Sequence, residues 1–527
     1  MNIDKDLLSI QEARDLSRIA KSAQMEFKHY SQSQVDRIVK AMADAGYAAA
    51  EKLAKMACEE SGFGKVEDKI IKNQFATKNV WDSIKDLKSC GVIESLANGK
   101  VLKIAEPMGV VAALVPSTNP TSTAMFKAII SLKCRNAMVA SPHPRTTKST
   151  VEALRILAAA AEKEGAPKGL IQCLTNPTIE GTEALMRDKN IAVILATGST
   201  PMVKAAYSSG TPAYGVGAGN VPAFIERSAN IKKAVLDIVY GTTFDNGTLC
   251  SSEQAMIVDS SIREEVIREA KAAGCYFVNA DEKKKLAGAI LTNGRINPEI
   301  VGKPAVWIAQ YAGFSVPENI KVLVAECEEV GKSEALSYEK LSPILAFYTV
   351  DGWLEGCHKC IDLLNFGGVG HTMVIHSNDS EIIMKFALEK PAFRILCNTV
   401  SSIGAVGYTT ALTPSLTLGP GTWGGSIISE NVSAKHLMNI KHLAFEVNPI
   451  NHGNSLSSMG ESITRSQSFL NEIEDRLRAR AGNPVINQEY SSTRPVEKKQ
   501  EQPKKQEEEP KTLSNAEIQK LIDEFKF

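Results

Sequence analysis

One pattern governs most of this chain: an apolar run of strand length, a turn of small residues, then a stretch with helical spacing. Val110–Val115 is unbroken Val, Ala and Leu and stops at Pro116. Helical spacing follows over 121–132, a second apolar run over 137–141, a helix over 151–164 that meets Gly165, and a third run over 191–196. The texture returns in the second half, with apolar runs over 255–258 and 344–348 and a helical stretch over 262–274. Strands that are apolar throughout need cover on both faces, and strands alternating with helices connect in parallel. The expected fold class is therefore α/β, with parallel sheets between helices. Ahead of this region, 10–97 has apolar residues three and four apart with few breakers and reads as helical.

A chain of 527 residues exceeds one ordinary domain. Lys plus Arg and Asp plus Glu number 60 each, so no charge excess points to nucleic acid or a membrane surface as the bulk partner. No apolar run approaches bilayer-spanning length, and the charged N-terminus lacks the apolar core of a signal peptide. Ten cysteines scattered over this length are not a disulfide framework, and a reducing, intracellular setting is expected.

One cysteine stands apart. Asn246-Gly247-Thr248-Leu249-Cys250-Ser251-Ser252-Glu253 places a thiol among small polar residues at the end of an Asn-Gly turn. Most free cysteines are buried structural thiols; the polar flanks make a nucleophile the sharper reading here. Other blocks accompany it. Pro116-Ser117-Thr118-Asn119-Pro120 offers an asparagine that can cap the following helix, donate an amide N–H to a reaction centre, or both. Thr197-Gly198-Ser199-Thr200 lies between a buried strand and a helix, where backbone N–H groups and a hydroxyl can meet a pyrophosphate. Tyr338-Glu339-Lys340-Leu341-Ser342-Pro343, Gly370-His371-Thr372 and the Gly-rich run from Thr417 to Gly425 follow.

Over roughly 10–446 these blocks, in this order, resemble the CoA-acylating branch of the aldehyde dehydrogenase superfamily, the propionaldehyde and acetaldehyde dehydrogenase type found in bacterial microcompartments. The resemblance implies two Rossmann-like α/β domains, an oligomerisation arm and a C-terminal tail helix. The cofactor-binding domain would span 1–222, with an oligomerisation hairpin near 93–105, and the catalytic domain 223–430. An arm with the C-terminal segment would fill 431–482, in a homodimer or homotetramer. An unfused enzyme is expected, since the length leaves no room for the second domain of the iron-alcohol-dehydrogenase fusions.

The resemblance also implies roles. Cys250 would be the nucleophile, and Asn119 with the Cys250 backbone N–H would meet the developing oxyanion, a donor typically worth about 2.7–4 kcal/mol. Glu339 would hold the nicotinamide ribose hydroxyls. Pro116, Ser117, Gly198, Ser199, Thr200 and Gly217 would line the dinucleotide. Ser141 and His143 belong to a Ser-Pro-His-Pro-Arg block standing where many relatives have Lys-Pro-x-Glu, with Ser141 and Pro144 in place of the two charged residues. With that carboxylate missing and Arg145 near, NAD is expected and NADP tolerated. His371 would either deprotonate the CoA thiol or order the pocket by hydrogen bonds. Arg394 would meet a CoA phosphate. Hydrolytic relatives carry a glutamate upstream of the cysteine. The corresponding stretch here, from Tyr214 to Pro222, has no carboxylate. A second thiol, that of CoA, is then the expected acyl acceptor for a short aldehyde such as propanal or ethanal. A hydrolytic enzyme with its base elsewhere, and an idle cargo or scaffold protein, are the rival readings.

Two tempting motifs carry less. Gly215-Val216-Gly217-Ala218-Gly219 lacks the spacing of a dinucleotide fingerprint. Cys357-His358-Lys359-Cys360 has no second pair to complete a zinc site, so no metal is expected. Beyond 482 the composition changes. A flexible linker is expected over 483–511, because 491–511 is almost only Pro, Lys, Glu, Gln, Ser, Thr and Arg. Over 512–527 a capping box, Ser514-Asn515-Ala516-Glu517, opens a short helix whose stripe is Ile518, Leu521, Ile522 and Phe525. So short a helix needs a partner. The tail resembles an encapsulation peptide that docks on microcompartment shell or cargo proteins, which would place the protein in a microcompartment lumen of a bacterial cytoplasm; docking on its own core is the plainer alternative.

Overall fold

A computed structural model describes residues 4–448 and 450. The expected linker and tail helix, 483–527, lie outside the described residues.

The first helices are Lys5–Phe27, Gln32–Ala48, Ala50–Ser61 and Val66–Gln74. Local chemistry fixes their ends. Ser31 and Gln34 form a reciprocal capping box, the Ser31 N–H donating to Gln34 Oε1 at 2.9 Å. Gly62, at φ +70°, closes the third helix in the left-handed region. The helical reading of 10–97 overran. Helix ends at Ile84, and β1 (Gly91–Leu96) pairs antiparallel with β2 (Val101–Pro107). The turn between them is made by Ala97, Asn98 and Gly99, all at positive φ. Val92, Ile93 and Leu96 satisfy helical and strand spacing alike, so the pattern could not mark the change.

The βα alternation builds two parallel sheets. The first has the order β5 (Ile171–Cys173), β4 (Ala137–Pro142), β3 (Val110–Val115), β6 (Ile191–Thr197), β7 (Ala213–Val216). Every pairing in it is parallel, and β3 and β4 are buried along their whole length. From β3 the chain winds outward through β4 and β5, then returns to β3's other side at β6. That reversal opens a crevice beyond the C-terminal ends of β3 and β6, where ligands of open α/β sheets bind.

The second sheet runs β10 (Cys275–Phe277), β13 (Val322–Glu326), β14 (Ile344–Val350), β9 (Glu253–Asp259), β8 (Val221–Ile225), β15 (Gly370–His376), β16 (Ala392–Cys397), again all parallel. Between them in sequence lies a minor pair, β11 (Leu291–Thr292) and β12 (Arg295–Ile296). A third, antiparallel sheet joins β1, β2 and β17 (Met438–Ala444). No helix among the described residues is long and apolar enough to cross a membrane.

The segments entering the second sheet from its N-terminal side carry Gly217, Cys250 and Glu339, just before β8, β9 and β14. Segments leaving the first sheet carry Ser117, Asn119 and Ser199, just after β3 and β6.

Candidate active site

These two sets of loops enclose a cavity of about 950 Å³. Cys250 and Asn119 line it, as do Glu339 and Gly217. Pro116, Ser117, Gly198, Ser199 and Thr200 form the part of its wall supplied by the ends of β3 and β6, and Ser141 and His143 the part beyond β4. His371 and Arg394 are not in this wall.

Cys250 is held by an unusual turn. Asp245, Asn246 and Gly247 are consecutive left-handed residues at φ +49°, +52° and +74°, a conformation that Asp, Asn and Gly tolerate best. The Asp245 carboxylate secures the turn: it accepts the Lys65 N–H at 2.7 Å, the Thr248 hydroxyl at 2.6 Å and the Lys69 ammonium at 2.9 Å. Asn246 Nδ2 donates to the Gly302 carbonyl at 2.9 Å. Downstream, Ser251 Oγ donates to the Ser402 carbonyl at 2.8 Å.

Burial pushes the Cys250 thiol up to about 12, and the Glu339 carboxylate adds to that; Arg394 and the backbone N–H groups of Cys250 and Ser251 oppose it. This direction favours the thiol form of Cys250 near neutrality. Below its pKa the thiolate fraction rises with pH, so the rate of Cys250 alkylation by iodoacetamide is expected to climb about tenfold per pH unit from pH 6 to 9. A plateau by pH 7 would reveal a thiolate already formed.

Asn119 is the N-cap of the helix Pro120–Lys133 but makes no side-chain cap bond. Its Nδ2 donates to Thr118 Oγ1 at 3.1 Å and to the Thr248 carbonyl at 3.3 Å, two residues before the cysteine. The capping alternative is thus unused, and the amide is turned toward the cysteine's turn.

Glu339 is the only carboxylate in the cavity wall among the described residues. It accepts the Gly219 N–H at 2.8 Å, and burial lifts its carboxyl to about 7 against the hold of the Gly219 and Asn220 N–H groups. Val216, within the 214–222 stretch that corresponds to the hydrolytic relatives' glutamate segment, is an apolar wall residue. Gly219 must stay bare: a Cβ there would lie 1.7 Å from the Cys250 carbonyl oxygen.

His371 is the second residue of β15 and is fully buried. Its Nδ1 shares a hydrogen bond with Thr372 Oγ1 at 2.9 Å, Nε2 meets no partner, and Cε1 is 3.3 Å from where a Gly219 Cβ would sit. Burial, then Arg394, push its pKa well below the ordinary imidazole value. Of the two roles expected of it, this direction favours ordering the pocket over taking a proton. Arg394 stands on the neighbouring strand, β16. It is buried, and its guanidinium donates to the Gly419 carbonyl at 2.8 Å, to Thr372 Oγ1 at 3.2 Å and to the Gly370 and Ser429 carbonyls at 3.4 Å. Its nitrogens thus face three backbone carbonyls and the Thr372 hydroxyl rather than the cavity wall. The Gly-rich run packs against this strand, with the Pro420 carbonyl 1.8 Å from where a Gly370 Cβ would be.

At the far end of the cavity, Ser141 Oγ meets Thr182 Oγ1 at 2.8 Å, and His143 Nδ1 accepts the Arg145 N–H at 3.1 Å. Ser199 caps the helix Thr200–Tyr207 in position but makes no side-chain cap bond, so its hydroxyl and the helix's first N–H groups are available to an anion. Cys357 and Cys360 are buried in the helix Gly352–Gly367, with the Cys357 thiol against Lys390 and Glu389.

This geometry pairs a turn-held cysteine with an amide donor above a dinucleotide-type crevice. The sequence model of the aldehyde dehydrogenase family matches residues 7–293. The chain belongs to the aldehyde dehydrogenase family. Within it the chain falls with the acylating type. It is 46% identical over 441 residues to the bifunctional aldehyde-alcohol dehydrogenase of Escherichia coli K12, an alignment covering 83% of this chain and 50% of that one. It thus spans about half the length of such relatives. The acetylating succinate-semialdehyde dehydrogenase of Clostridium kluyveri is 36% identical, with 82% of this chain and 95% of that one covered. Among solved structures, an acetylating aldehyde dehydrogenase from Geobacillus thermoglucosidasius superposes with a TM-score of 0.84 at 52% identity, covering 85% of this chain and 100% of that one. A propionaldehyde dehydrogenase from the fucose utilisation microcompartment of Clostridium phytofermentans gives 0.75 at 28% identity, covering 82% and 97%.

Sequence reasoning missed Lys69, Lys72 and Asp245, which surround Asn119 and the cysteine turn. The lysines sit three apart on the helix Val66–Gln74, a spacing indistinguishable from a solvated face.

Proposed function

We propose that this aldehyde dehydrogenase oxidises a short-chain aldehyde, propanal or ethanal, to its acyl-CoA, with NAD as the preferred oxidant and NADP tolerated. The observation that carries this reading is the cavity wall around Cys250: it holds one carboxylate, Glu339, tied to backbone N–H groups, and an apolar Val216 within the stretch that corresponds to the hydrolytic relatives' glutamate segment. An acyl group on Cys250 then waits for a better nucleophile than water, and a thiol is one.

In this reading Cys250 attacks the aldehyde carbonyl, and the oxygen that gains charge is met by Asn119 Nδ2 and the Cys250 N–H. A nicotinamide dinucleotide, when bound, supplies the hydride acceptor. The crevice suits it, because Ser199 and the first turn of Thr200–Tyr207 leave donors for its diphosphate and Glu339 can accept from ribose hydroxyls. Arg145, paired with Glu299 at 3.5 Å, lines the end where an adenine ribose would lie, and Glu339 is the only acid in the wall among the described residues, so a 2′-phosphate would meet no unpaired carboxylate in that wall. Once the substrate carbon is oxidised, Cys250 holds the acyl group as a thioester, and the CoA thiol displaces it. His371, whose Nδ1 is tied to Thr372 Oγ1 at 2.9 Å, orders this region, and the burial that lowers its basicity weighs against its taking the thiol proton.

One observation favours the hydrolytic rival: a carboxyl at about 7 shares the cavity with the thioester. Acyl-enzyme trapping separates the two. Mixed with propanal and NAD alone, the protein is expected to gain one propanoyl group on Cys250 that persists for minutes and leaves within seconds of CoA addition. Prompt release as propanoate without CoA would establish hydrolysis.

We further assign the protein to a microcompartment lumen as a homodimer or homotetramer, on the kinship with the Clostridium phytofermentans enzyme and the stripe of 512–527. Deleting 513–527 is expected to leave turnover in solution unchanged and to abolish co-purification with shell protein. Undiminished co-purification would remove the tail from the account.

A further inference from the structure

Behind the Asn119 amide lies a buried charge cluster that none of the roles above uses. Lys72 is 4% exposed, and its ammonium donates to Asn119 Oδ1 and to the Asp245 carboxylate. Lys69, 2% exposed, reaches the same carboxylate and donates to the Thr118 carbonyl at 3.1 Å. Two ammonium groups thus share one carboxylate. The neighbouring Asp68 faces Lys65 at 3.7 Å and accepts the Asp245 N–H at 2.7 Å.

Lysine has donors and no acceptor, so the amide atom it meets must be the oxygen. That contact settles which way the Asn119 amide points: its nitrogen is turned away from the helix Val66–Gln74 and toward the turn carrying Cys250. An ammonium on the oxygen also draws electron density from the amide and makes its N–H a stronger donor, most of all where water is excluded. From these contacts we infer that Lys72, anchored by Asp245, is a positioning residue for the oxyanion donor: it orients and polarises Asn119 without touching substrate. Asp245 joins the two halves of the site, since the same carboxylate holds Lys72 under Asn119 and closes the turn that presents Cys250 through Thr248. Burial lowers the Lys72 pKa to about 8, with Asp245 opposing, so the ammonium is largely charged at neutral pH.

The inference rests on the oxyanion role proposed for Asn119, and a double-mutant cycle on the full-length protein tests the two separately. Lys72→Met, Asn119→Ala and the double variant would be assayed for kcat and aldehyde KM. Lys72→Met is expected to lower kcat about tenfold with KM nearly unchanged, and to cost nothing further where Asn119 is already alanine, because groups acting as one unit are not additive. Lys72→Gln restores a donor to the amide oxygen and is expected to recover most of that loss, which a purely structural role would not produce. Asp245 keeps Lys69, Lys65 and Thr248 in Lys72→Met, so the turn has partners left. Should that variant misfold, Lys72→Ala, which also removes the donor, runs the same cycle. Equal losses from Lys72→Met in both backgrounds would overturn the inference. A costly Asn119→Ala beside a harmless Lys72→Met would overturn it while leaving the oxyanion reading intact. A harmless Asn119→Ala would overturn both.

Discussion

Replacing Cys250 with alanine is expected to reduce aldehyde-dependent reduction of NAD by on the order of 10⁴-fold or more, because a covalent mechanism has no substitute route once its nucleophile is gone. The loss should come without unfolding. The cysteine lies at the cavity wall, and its segment is held by neighbours: Asp245 and Asn246 upstream, Ser251 bonded to Ser402 downstream. Removing one sulfur there leaves those bonds intact and adds little void to a space already about 950 Å³ in volume. The thermal midpoint should therefore move by only a few degrees. Intact-mass analysis after exposure to propanal and NAD provides a second readout, with no propanoyl adduct expected on the variant. Activity surviving the substitution would mean that another thiol, or none, carries the acyl group.

Asn119→Ala is expected to lower kcat by about 10²–10³-fold, the range for one oxyanion donor, with a smaller effect on aldehyde KM. The argument is one of availability. Among the described residues, Nδ2 is engaged only by Thr118 Oγ1 at 3.1 Å and the Thr248 carbonyl at 3.3 Å, bonds long enough to yield to a charged oxygen. The amide is not consumed as a helix cap, and its oxygen is fixed by Lys72. A nearly unchanged kcat would leave the backbone N–H of Cys250 as the sole donor and remove Asn119 from the chemistry. Asn119→Asp should be no better than alanine, since a carboxylate facing the developing anion repels it.

The parts of this molecule that follow from local pattern were legible in its sequence. Val110–Val115 is a strand with those bounds because six apolar residues cut off by Pro116 are of strand length and too short for an ordinary helix, and being apolar throughout suits a strand covered on both faces. The loops at Asn119, Ser199, Cys250 and Glu339 were recognisable because their blocks, in this order, resemble those of the acylating aldehyde dehydrogenases, and the fold brings all four to one cavity. What stayed hidden depends on distant packing. Lys69 and Lys72 share a nine-residue helix with Glu67 and Asp68, and only the approach of Asp245, far along the chain, turns an ordinary polar face into a buried ion cluster. His371 and Arg394 were found as residues but not as environments. Their burial, and the carbonyls that occupy Arg394, are set by how β15, β16 and the Gly-rich run meet.

The central claim is that a thiol, not water, resolves the acyl-enzyme. It is tested most directly by following NADH formation from propanal and NAD with and without CoA. The account predicts steady turnover only with CoA, one equivalent of propanoyl-CoA per NADH, and without CoA a single burst no larger than the enzyme concentration. Equal steady turnover without CoA, with propanoate as product, would contradict it and would make Glu339 the base to examine next.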